Sequence, residues 1–518
     1  MKARLIGALL LMLLGLGVTY GIWLLLPKLL DRKQQTTSDA AQTQGKLRIA
    51  LDNWIGYFPL RSPEMKSAMH RAGWLLAWED DKADYARRME RLEKGELDFA
   101  VATVDSYLLN AERFAYPGVI VAVLDESKGG DAILARKDRV ASLDDLKGKL
   151  DAKVAFTPAS PSEHLAKAAA DHFNVKELHP PPGPLRLAVN GSEQAKNALL
   201  SGKADVAVLW EPDVTKALQE KGIVKLLGTE DTERLIVDVL LVRRDFAQKN
   251  PDIVKLFLAT YFKVLKKYRQ EEELFIRHIK EETGLTEEPV RIMLKGVDWL
   301  SLSDNCEQWF GITAAGGAGE EGLVAAIESA AEILVNAGDF PASPVPDGNP
   351  YRLTNKSFLE ELFSSGTAGF TASGEKASSI GAVSFAPLDN VGWDALKEVG
   401  TLKIDPIIFQ QGTATLDILG KQTIDTAMAR LSHYPHFRIV IKGHTGVRGD
   451  AEENLRLSQE RAEAVSRYLQ ITHSLDANRV HPLGLGGTKP LTQQPGESLR
   501  TYEYRLPRVE LVLVREDM

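Results

Sequence analysis

The feature that most constrains the fold is a recurrence of short apolar runs, each separated from the next by a helical pattern. Leu47–Leu51, Leu97–Ala102, Val119–Leu124, Lys153–Phe156 and Val206–Trp210 read as strands, and Tyr85–Leu92 and Gln194–Leu200 as helices between them. Strands alternating with helices predict an α/β domain with largely parallel sheets. Residues 251–296 then read as a string of helices, and a further helix, Gly322–Asn336, follows the small-residue stretch Ala314–Gly319. Ser364–Ser379, rich in Ser, Gly, Thr and Ala, reads as a linker. From about Trp393 a smaller α+β pattern begins: strand, helix, strand, helix, then closing strands. A chain of 518 residues exceeds what one core supports. The expected division is therefore a domain over residues 47–363, a linker over 364–392 and a second domain over 393–518.

The N-terminus carries a different signal. Lys2 and Arg4 precede an uncharged apolar run, Leu5–Leu26, and Lys28, Arg32 and Lys33 follow it. As a helix this run is about 33 Å long, enough to cross a bilayer core. No small-x-small cleavage site stands before Pro27 and no lipobox cysteine is present, so the expectation is one uncleaved transmembrane helix over residues 5–26. A cleaved signal peptide is the alternative. The absence of an ionisable side chain inside the run argues against a proton-conducting span. Residues 27–46 read as a flexible tether. The single cysteine, Cys306, excludes an intrachain disulfide and a four-cysteine zinc site. A net charge of -8 without a basic patch excludes a nucleic-acid binder. His433 and His436 lack clustered Cys or acidic partners, so no metal site and no cofactor are expected.

The first domain opens with Asp52-Asn53-Trp54-Ile55-Gly56-Tyr57 at the end of its first strand, where open α/β sheets bind ligands. Downstream come Lys94-Gly95-Glu96-Leu97-Asp98, Asp144-Asp145-Leu146-Lys147-Gly148-Lys149 and Gly202-Lys203-Ala204-Asp205, the last running into Val206–Pro212. Together these phrases resemble the nitrate, sulfonate and taurine branch of the type II periplasmic solute-binding proteins, over about residues 47–363. The resemblance implies two α/β lobes joined by two crossing strands, with lobe two at about residues 132–235 and a ligand clamped between. It implies cleft residues at strand-end loops: Asp52, Trp54, Tyr57, Thr103, Ser127, Asp131, Ser160, Ser162, Trp210, Glu211 and Asp238. Packing alone is the alternative role for Trp54 and Tyr57. Ser160-Pro161-Ser162-Glu163 also fits a helix start with Ser160 as N-cap, a motif that doubles as an anion site, although Glu163 opposes an anion there.

The second domain contains Ile407-Ile408-Phe409-Gln410-Gln411-Gly412-Thr413, Gly443-His444-Thr445-Gly446, Asn454, Leu457-Ser458 and Arg461-Ala462, then Gly484-Leu485-Gly486 and Arg508-Val509-Glu510. On a helical wheel Ala462, Val465, Tyr468 and Leu469 share one arc, and Arg461 falls inside it. A guanidinium on an inward face requires an anionic partner, internal or bound. The phrases resemble the OmpA C-terminal domain. That resemblance implies that Arg461 grips a diaminopimelate carboxylate of the peptidoglycan stem peptide, with Asn454 beside it. The family has Asp where this chain has Gly446, so the partner of the diaminopimelate ammonium is missing from an otherwise matching site.

The combined expectation is a non-enzymatic, single-pass inner-membrane protein with its bulk in the periplasm. It would bind a small polar or anionic solute as a receptor or sensor of the ABC-transporter type, held to peptidoglycan, with an ABC permease or other inner-membrane complex as partner. A scaffold whose binding-protein domain docks another protein is the alternative. A thiamine-pyrimidine-synthase-like enzyme is a third, less favoured because only His164 lies near the cleft phrases.

Overall fold

The structure, a computed structural model, describes residues 43–313, 319–365, 385–410 and 412–516. The apolar run Leu5–Leu26, most of the tether and most of the 364–392 linker lie outside the described residues. Among the described residues no helix is long and apolar enough to cross a membrane.

Strands β1 (Gly45–Leu51), β2 (Trp74–Asp80), β3 (Phe99–Thr103) and β4 (Gly118–Ser127) open the first sheet. The chain then leaves for a second sheet of β5 (Asp131–Arg136), β6 (Val154–Phe156), β7 (Arg186–Ala188), β8 (Val206–Trp210) and β9 (Ile223–Gly228). It returns through β10 (Val237–Arg243) and β11 (Val297–Trp299), giving the orders β11-β4-β10-β3-β1-β2 and β7-β6-β8-β5-β9. β3, β4 and β8 are buried along their whole length, which their near-continuous Val, Ala, Ile and Leu content permits and an exposed face would not.

The sheets are less parallel than the alternation predicts. β1 runs parallel to β2 and β3, and β6 to β7 and β8, but β10 is antiparallel to β3 and β4, and β5 to β8 and β9. The cause is the double crossing. β5 and β10 each enter their sheet from the other lobe rather than over a helix, so each runs against its neighbours. The two crossings are tied together: Ser127 Oγ lies 2.7 Å from Thr229 Oγ1, and Gly129 N–H donates to Thr229 Oγ1 at 2.9 Å.

The helices Pro251–Gln270, Glu272–Thr283 and Glu287–Lys295 belong to the first lobe's core, where Phe257 stacks on Phe99 with centroids 4.2 Å apart. Beyond the linker, β12 (Lys397–Thr401), β13 (Arg438–His444), β14 (Val480–Gly484) and β15 (Arg508–Arg515) form a third sheet in the order β12-β15-β13-β14. The helix Ala451–Thr472 buries Ala462, Val465 and Leu469, as the wheel predicts. This sheet's domain packs on the second lobe. His172 Nδ1 meets Tyr434 Oη at 2.8 Å, the Phe173 and Tyr434 rings lie 5.3 Å apart, and Lys403 pairs with Asp171 at 2.7 Å.

Candidate functional site

A small cavity sits where strand ends of the two lobes meet. Asp52, Trp54, Tyr57, Tyr85, Thr103 and Asp238 line it from the first lobe, and Asp131, Pro161 and Trp210 from the second, with Ile236 on the returning crossing. Seven of the eleven expected cleft residues are thus brought together: Asp52, Trp54, Tyr57, Thr103, Asp131, Trp210 and Asp238. The cavity holds about 220 Å³ of empty space, and little of it admits even a water molecule, so the lobes stand closed.

Each wall is fixed by a hydrogen bond at its polar edge. Asp52 follows β1 and accepts from the Trp54 N–H at 3.0 Å, from Tyr85 Oη at 3.2 Å and from Arg88 Nη2 at 3.0 Å. Arg88 is wholly buried and also binds Asp81 through Nε at 2.7 Å, so its one charge is shared between Asp52 and Asp81. Trp54 Nε1 donates to Asp125 Oδ1 at 3.0 Å, and the Tyr57 hydroxyl donates to Asp238. Across the cleft, Trp210 Nε1 donates to Asn53 Oδ1 at 3.1 Å, a direct bond between the lobes. With their polar edges occupied, the aromatic rings form the cavity walls. Gly130 sits under Trp54 so closely that a Cβ there would lie 2.3 Å from the indole, which is why the crossing needs a residue without a side chain at this point.

The carboxylates are strongly perturbed. Asp238 lies opposite Asp125 in the ladder. Burial, outweighing the hydrogen bonds from Trp54 and Asp238, pushes the Asp125 carboxyl up to about 8. Burial and then the Asp125 charge raise Asp238 as well, so this carboxyl pair keeps protons near neutrality. Burial pushes Asp131 up to about 7, helped by the nearby charges of Asp105, Glu211 and Asp52.

The remaining four expected residues lie off the cavity wall, each committed elsewhere. Ser127 holds the crossing, accepting from the Asp131 N–H at 3.0 Å. Ser160 is the N-cap of the helix Pro161–His172, accepting from the Ser162 N–H at 3.2 Å and donating to Thr157 O at 2.7 Å. Ser162 Oγ accepts from the Thr157 N–H at 3.0 Å. Glu211 caps the next helix through the Thr215 N–H at 3.0 Å and hydroxyl at 2.6 Å. Sequence reasoning missed Tyr85, absorbed into a helical pattern as its first residue, and Asp125, whose signal was a carboxylate directly after the apolar run Val119–Leu124.

In the third sheet's domain, Arg461 and Asn454 lie seven positions apart on the helix Ala451–Thr472, hence on one face and about 10 Å apart along its axis. Arg461 Nε donates to Thr413 O at 3.1 Å, and the guanidinium sits 5.1 Å from the Phe409 ring centroid. Among the described residues no carboxylate pairs with it, and partial burial lowers its pKa. Asn454 Nδ2 donates to Arg448 O at 2.9 Å, and a Cβ added at Gly446 would meet nothing within 4 Å. His444 is buried and lies 3.3 Å from Glu510, a structural placement.

Fold and sites together define a two-lobed binding-protein domain joined to an OmpA-type domain. Residues 82–271 match the family described as ABC transporter, phosphonate, periplasmic substrate-binding protein, and residues 408–502 match the OmpA family. Among curated proteins the chain is similar to the probable lipoprotein YiaD of Escherichia coli, 35% identical over 16% of this chain and 38% of that one. It is also similar to the taurine-binding periplasmic protein of Escherichia coli, 26% identical over 35% of this chain and 56% of that one. Among solved structures, the aliphatic sulphonate binding protein SsuA from Escherichia coli aligns with a TM-score of 0.46 and 19% identity, over 60% of this chain and 92% of that one. The chain spans about half or less of the length of the curated relatives it matches first, 38% and 51%.

Proposed function

We propose that this protein is a solute receptor of the cell envelope. Its N-terminal apolar run would hold it in the inner membrane as a single span, its two-lobed domain would capture a small solute in the periplasm, and its C-terminal domain would grip peptidoglycan. The observation that carries this reading is the closed cavity itself. Seven strand-end residues, far apart in sequence and from both lobes, converge on one space walled by aromatic rings and carboxylates. A docking scaffold would need no such enclosed and bonded interior. The OmpA-type site supports the wall-binding half through Arg461, a partly buried guanidinium left for an external anion. An ABC permease or another inner-membrane complex is the proposed recipient of the captured solute. The test is mass spectrometry of small molecules released from the purified full chain, with co-sedimentation on purified peptidoglycan. A stoichiometric solute and specific pelleting are expected. Absence of any solute, co-purified or bound on titration, refutes the receptor reading, and absence of pelleting refutes the wall anchor.

A further inference from the structure

The charge of the cleft points away from the anions named for its relatives. Among the described residues none of the ten that line the cavity is Lys, Arg or His, whereas three are Asp. Asp52 is held by Arg88, which it shares with Asp81, but Asp131 pairs with no cation among the described residues: it is 1% exposed, lines the cavity, is hydrogen-bonded to Ser127, and its Oδ1 has no hydrogen-bond partner. Asp238, facing Asp125 across the ladder, adds a carboxyl group on the opposite wall whose Oδ2 also lacks a hydrogen-bond partner. Part of what would hold an anion is already used. The helix entering the cleft begins with Pro161, which has no N–H, and its next N–H, Ser162, is taken by Ser160. The first turns of the two helices that start at the cleft carry Asp105 and Glu163, where an anion would have to sit.

Resting on the receptor reading above, we propose that the cleft selects a small organic cation, an alkylammonium, seated between the Asp131 and Asp238 carboxylates and the faces of Trp54, Tyr57, Tyr85 and Trp210. The ring faces carry negative quadrupole density and attract a cation, and more so when it is desolvated. Their N–H and O–H edges are already bonded to Asp125, Asn53, Asp238 and Asp52, and Arg88 covers one face of Tyr85 at 4.5 Å, so the remaining faces are what is left for a ligand. A bound ammonium also supplies the donor that Asp131 Oδ1 lacks and offsets the cost of its burial. A sulfonate or phosphonate in the same space would face two carboxylate walls with no cationic side chain to balance it.

Three probes of one shape and different charge test this: propylammonium, propanesulfonate and propylphosphonate, titrated into the full chain by calorimetry and by the fluorescence of the wall tryptophans. Saturable binding of propylammonium alone is expected. Asp131→Asn should weaken it at least about tenfold, while Asp131→Glu, which keeps the charge, should lose less. A melting curve on each variant separates lost binding from lost folding. Tighter binding of either anion, strengthened in Asp131→Asn, would overturn the cation assignment and leave the receptor reading standing. So would a co-purified solute that lacks a basic nitrogen. If no probe binds and no solute co-purifies, the receptor reading fails and takes this proposal with it.

Discussion

Replacing Arg461 by Ala tests the wall-binding half of the molecule at one atom group. The guanidinium makes a 3.1 Å bond to Thr413 O, lies over Phe409, and has no carboxylate partner among the described residues. In the free protein its removal therefore costs little. One charged hydrogen bond and a cation–ring contact are lost, about 1–2 kcal/mol, and the penalty of a half-buried charge disappears with them. With peptidoglycan bound the loss is larger. A charge-assisted pair with a stem-peptide carboxylate is worth about 1.5–3 kcal/mol, and partial solvent exposure favours the lower end. At 1.4 kcal/mol per decade this is roughly a tenfold fall in affinity with a nearly unchanged melting temperature. Arg461→Lys should fall between, because it keeps the charge and loses the fork that matches a carboxylate. The assay is co-sedimentation of the full chain with purified peptidoglycan across a concentration series, with a melting curve on each variant. Pelleting by Arg461→Ala equal to that of the wild type would refute the reasoning. A collapse of the melting temperature would show instead that the guanidinium is a structural strut.

Gly446→Asp should strengthen pelleting, since its Cβ meets nothing within 4 Å and its carboxylate restores a partner for the diaminopimelate ammonium; weaker pelleting would place the ligand elsewhere. Gly130→Ala should destabilise the first domain by about 1–3 kcal/mol and lower solute affinity, because its Cβ would lie 2.3 Å from the Trp54 ring; an unchanged melt and affinity would show that the indole shifts freely. Burial holds His172 at about 3, against about 6.5 in an unfolded chain, so between those values the folded protein binds fewer protons and loses stability as the pH falls. The loss is about 2 kcal/mol at pH 5, so His172→Gln should gain on the wild type between pH 7 and pH 5 in paired melting curves. A constant gap between the two would show that burial does not shift His172 from its unfolded value.

The position of the cleft was legible in the sequence because it follows from chain direction. Residues at the C-terminal ends of successive apolar runs fall on one edge of their sheet, which is where the family resemblance implied Asp52, Thr103 and Trp210, and the structure brings them to one cavity. Antiparallel entry of β5 and β10 was not legible, because an apolar strand reads the same in either direction; only the lobe crossing sets its sense. The four serine and glutamate positions that lie off the wall share one reason. Ser127, Ser160, Ser162 and Glu211 sit where the backbone turns or a helix begins, and there free N–H groups and carbonyls compete for short polar side chains before any ligand does. The same competition decides the chemistry of the cleft. A family phrase fixes where a helix starts, but whether that start binds an anion depends on which N–H groups remain free, and here Pro161 and the Ser160 cap leave none at its first two positions. What then decides is Asp131, whose lack of a cationic partner among the described residues cannot be read from spacing, because only the fold shows that Arg88 reaches Asp52 and Asp81 and leaves Asp131 Oδ1 unbonded.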